Sequence, residues 1–157
     1  MIVGALAGGL VGTIVLTTGG RLAQQLGWTR MDIPLLLGTM FSAERGRATV
    51  IGYVIHFANG LLFSLAYGLV FEATGRAGWL FGLALGAVHG AFAGGGLLSV
   101  LLPVVHPRMG KAWTDARSTP LLEPPGFLLA NYGRPTLVAT FALHLAYGAI
   151  VGTFASL

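Results

Sequence analysis

Residues 50–71 read VIGYVIHFANGLLFSLAYGLVF, with no Asp, Glu, Lys or Arg among them. An α-helix rises about 1.5 Å per residue, so about 20 apolar residues cross a hydrocarbon layer roughly 30 Å thick. This stretch is long enough. A strand of a membrane barrel would be about ten residues long and would alternate apolar with polar. Here the apolar residues run on without alternating, so the stretch is a membrane helix.

Three further runs of the same kind lie at about 2–18, 79–105 and 136–157. Only helices and closed barrels satisfy every backbone group inside lipid. The chain therefore reads as an all-α integral membrane protein, one membrane domain over 1–157 with four transmembrane helices. Composition agrees: 55% of residues are hydrophobic and 9% charged, against roughly a quarter charged in soluble domains. The first run has no basic residue before Arg21, whereas a signal peptide opens with one, so it reads as a retained span.

The nine Lys and Arg residues are unevenly placed. Arg21, Arg30, Arg45 and Arg47 follow the first run; Arg108, Lys111, Arg117 and Arg134 follow the third; Arg76 alone follows the second. Basic loops stay in the cytoplasm, so loops 1 and 3 are expected inside and both termini outside. The net charge of +4 is thereby accounted for by membrane anchors, and nucleic acid is not an expected partner. The absence of cysteine excludes disulfides, thiolate metal sites and iron–sulfur clusters.

The two halves, 1–72 and 79–157, share an ordered set of landmarks. Gly4, Gly8 and Gly12 correspond to Gly82, Gly86 and Gly90, and MDIPLLLGTMF (31–41) to LEPPGFLLANYG (122–133). GRATV (46–50) then matches GRPTL (133–137), and HFANG (56–60) matches HLAYG (144–148). The expectation is a duplicated helical hairpin, with both copies in the same orientation. Each short apolar piece after Asp32 and Glu123 is too short to span, and proline blocks a helix running through it. Both are expected at the cytoplasmic interface.

Residues three or four apart share a helix face. Gly52, His56, Gly60, Ser64 and Tyr67 form one stripe, with Asn59 beside it. Thr136, Thr140, His144, Gly148 and Gly152 form another, with Tyr147 beside it. Small residues let membrane helices approach closely, so these stripes should face inward. His56 and His144 are expected roughly 10–12 Å inside the cytoplasmic boundary, facing each other. His106, Asp32, Glu123, Arg47 and Arg134 are expected to gather in the same half of the bundle, with His89 closer to the middle of its span as a further candidate ligand.

Three readings of the paired histidines stand side by side. They are hydrogen-bonding core residues, or they hold a metal ion or haem iron, or they line a proton or substrate path. Ionisable groups are costly in lipid and mark function by default. Two imidazoles with Asp32 and Glu123 suit a divalent metal ion; His56 and His144 alone would suit a b-type haem. The alternatives are a non-catalytic subunit of a larger membrane complex, or a small oligomeric transporter or channel. Phosphate-loop, nucleophile-elbow and dinucleotide motifs are absent, which argues against a soluble-type enzyme.

MDIPLLLGTMF, HPRM (106–109), the PPGF…NYG pattern and the His-x-x-x-Gly of the last run resemble a group of small four-span bacterial inner-membrane proteins described only by a domain of unknown function. The resemblance implies location and fold, and carries no activity to any residue.

Overall fold

A computed structural model describes residues 1–110 and 121–157; Lys111 and Arg117 lie outside the described residues. The chain is all-helical there. In order come α1 (Ile2–Gln25), α2 (Ile33–Gly38), α3 (Arg45–Thr74) and α4 (Trp79–Ala91). A π-helix (Phe92–Leu101) and α5 (Leu102–Val105) continue α4, then a 3-10 turn (Phe127–Tyr132) leads to α6 (Thr136–Ala155). Among the described residues, four helices are long and apolar enough to cross a membrane: Ile2–Gln25, Arg45–Thr74, Trp79–Val105 and Thr136–Ala155.

Helices α1 and α3 are longer than the apolar runs, and local chemistry sets both ends of α3. The Glu44 carboxylate caps α3, accepting from the Gly46 and Arg47 amides at 2.6 and 2.7 Å. This starts the helix at Arg45, before the apolar run begins. Gly75, with φ 63°, ends it in the left-handed conformation that glycine adopts without penalty. Asp32 caps α2, accepting from the Leu35 amide at 3.1 Å, and Pro34 sits in the first turn, where its missing N–H costs nothing. The two interfacial pieces differ in form: α2 is a helical turn and a half, whereas its counterpart is a 3-10 turn with Leu128 and Leu129 at positive φ.

Packing runs in the order α3, α1, α6, α4. Glycine sets each seam. A Cβ on Gly82 would stand 2.1 Å from the Gly148 carbonyl oxygen, and one on Gly148 would stand 2.2 Å from that of Gly82. Gly86 and Gly152 meet backbone as closely across the same seam, and Gly4 meets the Phe154 carbonyl oxygen across α1 and α6. Between α1 and α3, Gly9 lies against Ser64 and Gly60 against Thr13. The central core, Ala5, Tyr67, Phe71, Tyr147, Val151 and Ala155, fills the half of the bundle near the termini.

One seam lacks close backbone approach. Although a short turn joins them, α3 and α4 meet among the described residues through long side chains, Phe63 and Tyr67 on His89 and Phe71 on Phe81. A strict twofold duplication would pack α3 on α4 as α1 packs on α6. Instead α2 lies against α3, with Gly38 and Gly52 interlocked so tightly that neither admits a Cβ.

Candidate functional site

A cavity of about 280 Å³ lies among α1, α3, α4, the π-helix, α6 and loop 1. His56 and Asn59 line it from α3, His89 from α4 and His144 from α6. The π-helix contributes Leu97, Leu98 and Leu101, and loop 1 contributes Asp32 and Ile33. Its walls are mainly apolar, with the three imidazoles among them.

The imidazoles are held in different ways. His144 Nδ1 lies 2.7 Å from the Thr140 carbonyl oxygen. A carbonyl only accepts, so Nδ1 carries the proton and Nε2 keeps its lone pair. The His89 ring stacks on Phe63 with centroids 3.9 Å apart, and its Nδ1 is 3.2 Å from the Tyr67 hydroxyl. His56 touches the edge of Phe57 and makes no hydrogen bond among the described residues. Tyr147 donates to the Gly60 carbonyl at 2.5 Å, tying α6 to α3 beneath the cavity.

Sequence reasoning expected His56 and His144 to face each other. Both line the cavity, but the rings in direct contact are His89 and His144, with centroids 4.6 Å apart and nearly perpendicular. The cause is the tight α4–α6 seam, which brings those two helices closer than α3 and α6.

The carboxylates are otherwise engaged. Asp32 forms a 2.8 Å ion pair with Arg21, and Arg21 also donates to the Tyr53 hydroxyl at 3.0 and 3.1 Å. Glu123 pairs with Arg30 at 3.0 Å near the surface and does not line the cavity. Arg47 and Arg134 are exposed on the outside of the same end. His106 is 1% exposed and lies outside the cavity. Its Nδ1 accepts from the Arg108 amide at 3.1 Å, so Nε2–H donates to the Leu36 carbonyl at 3.0 Å. Burial is the main cause lowering its pKa below 6.5, with the Arg108 charge adding to it. Among the described residues no group of three or more His, Asp or Glu side chains comes together to hold a metal ion. The expected gathering of six candidate ligands thus resolves into a three-imidazole wall, two ion pairs and a structural staple.

Three contributors escaped sequence reasoning. Phe63 lies seven residues after His56, two helical turns on, and was legible as the same face. Tyr53 lies one turn from Thr49 on α3 and carried no signal for an arginine partner 32 residues earlier. The GGG of 94–96 is a π-helical stretch, in which Ser99 donates to the Gly94 carbonyl five residues back.

No family model matches the chain, and neither a curated protein nor a solved structure matches it.

Proposed function

We propose that the chain is a multi-pass membrane binding protein whose ligand occupies the imidazole-walled cavity. One observation carries the reading: imidazoles from three separate spans converge on a cavity whose remaining walls are mainly apolar. Polar side chains inside a bilayer are costly to keep and mark ligand paths. A small organic molecule with one hydrogen-bonding end fits that lining.

A bound metal ion is the narrower version, and one observation favours it. The His144 Nδ1–H bond to a backbone carbonyl is the arrangement that orients metal-ligating histidines. The ion-paired carboxylates count against it, and a b-type haem needs His56 and His144 opposed, whereas the rings in contact are His89 and His144. The charge distribution and the resemblance to small four-span bacterial proteins support an inner-membrane location with both termini outside. The ordered landmarks support a duplicated hairpin. Exposed apolar helix faces are suited to lipid, to further copies, or to a larger complex in which this chain would be an accessory subunit.

Protein purified in mild detergent should release one small organic molecule per chain on solvent extraction, detected by mass spectrometry. His144→Phe should lose it while circular dichroism stays unchanged. Stoichiometric metal, or a visible haem band, would select the narrower version. An empty cavity together with stoichiometric partner proteins would replace the proposal with the accessory-subunit reading.

A further inference from the structure

The loosely packed α3–α4 interface has a defined outline. On the side nearer the termini, Phe63 and Tyr67 reach across to His89, and Phe71 meets Phe81 at 5.7 Å between centroids. At the other end α2 fills the space between α3 and α5. It is interlocked with α3 at Gly38 and Gly52 and joined to α5 through Leu36, Leu102 and the His106 bond. Between these two closures the spans stand apart.

The residues on the two banks are both cavity-lining and outward-reaching. Asn59 on α3 lines the cavity and is exposed. Across the gap and nearer the α2 closure, Leu101 at the end of the π-helix lines the cavity and is 48% exposed. Both lie within membrane-spanning helices, so the exposed side of each faces hydrocarbon rather than water. An amide left there without a partner costs free energy.

We infer that this gap is a lateral window through which a single-chain lipid reaches the cavity from the bilayer, lodging an uncharged oxygen head against the imidazoles. The inference rests on the binding reading above and specifies its ligand class. Charge supports the uncharged head: among the described residues, the Arg, Lys, Asp or Glu side chains lining the cavity are Arg21 and Asp32, which neutralise each other at 2.8 Å. A hydroxyl meets both needs of the wall: it accepts from an imidazole N–H and donates to the His144 Nε2 lone pair. A carbonyl oxygen meets the first alone. The tail lies along Leu97 and Leu101, and Asn59 marks the sill.

The chain has no cysteine, so Asn59→Cys with Leu101→Cys creates a single pair that a bifunctional thiol reagent can bridge. The probe is a long-chain fatty alcohol carrying a diazirine, added to the protein in lipid nanodiscs. Photolabelling of the peptide containing Ala93–Leu102, competed by the untagged alcohol, is expected in the unbridged protein. Bridging before the probe is added should abolish it; bridging after loading should preserve it. Asn59→Trp with Leu101→Trp plugs the same gap without chemistry and should also abolish labelling. Equal labelling of open and closed forms would overturn the window and leave the binding site standing. Absence of labelling in the open form, with another molecule extracted from the cavity, would overturn the lipid class. An empty protein that also fails to label would overturn the binding reading itself.

Discussion

His106 illustrates how a single membrane-edge histidine can be structural. Its two ring nitrogens are both committed, one to the Arg108 amide and one to the Leu36 carbonyl. Removing the ring takes the acceptor from the Arg108 amide and leaves the Leu36 carbonyl to the Thr39 hydroxyl 2.9 Å away, at a cost of about 0.5–1.5 kcal/mol. His106→Ala should therefore lower the unfolding temperature in detergent, and a wild-type midpoint would count against the staple. The pH dependence follows from burial. The folded pKa lies below 6.5, so the unfolded chain binds a proton that the folded chain refuses. Stability from this residue is then fully present above 6.5 and is lost as pH falls below it. Acidifying from about one unit above to about one unit below that value should cost the wild type more than His106→Ala.

At the scale of the helix, the seams respond to volume rather than polarity. Lipid offers helices no hydrophobic reason to associate, so close backbone approach supplies the attraction. Gly82→Val places a methine carbon 2.1 Å from the Gly148 carbonyl oxygen, and α4 must move off α6. Overpacking of this kind costs about 1–3 kcal/mol, readable as a lower midpoint in SDS titration of the detergent-solubilised protein. Gly20 provides the opposite case. Nothing lies within 4 Å of a Cβ there, and it sits inside α1, where alanine is about 1 kcal/mol more favourable than glycine. Gly20→Ala should leave the midpoint unchanged or raise it. If both substitutions lower it equally, the seam does not depend on the Gly82 approach.

Over the whole molecule, the spans were legible because a bilayer forces about 20 apolar residues to run together. Their ends were less so, since Glu44 and Gly75 act through single caps that leave hydropathy untouched. The three cavity histidines were legible as costly residues on inward stripes. Which two rings meet was not, because it depends on how deeply the α4 and α6 glycines interlock. Nor was the looseness of the α3–α4 seam visible: the landmarks that suggest duplicated halves imply a packing partner that α2 displaces.

Orientation is the property of the whole molecule that decides which compartment the cavity's α2 end faces. Ala43, before α3, and Ala73, near its end, are both exposed and lie at opposite ends of that span. Loop 1 carries Arg30, Arg45 and Arg47, whereas the turn after α3 carries Arg76 alone, and basic loops are retained in the cytoplasm. Without native cysteine, each site can be labelled singly in intact bacterial cells with a membrane-impermeant maleimide. Ala73→Cys should react at once, and Ala43→Cys only after permeabilisation. The reverse pattern would turn the protein over in the membrane and place α2, the Arg21–Asp32 pair and the adjoining end of the cavity on the outer side.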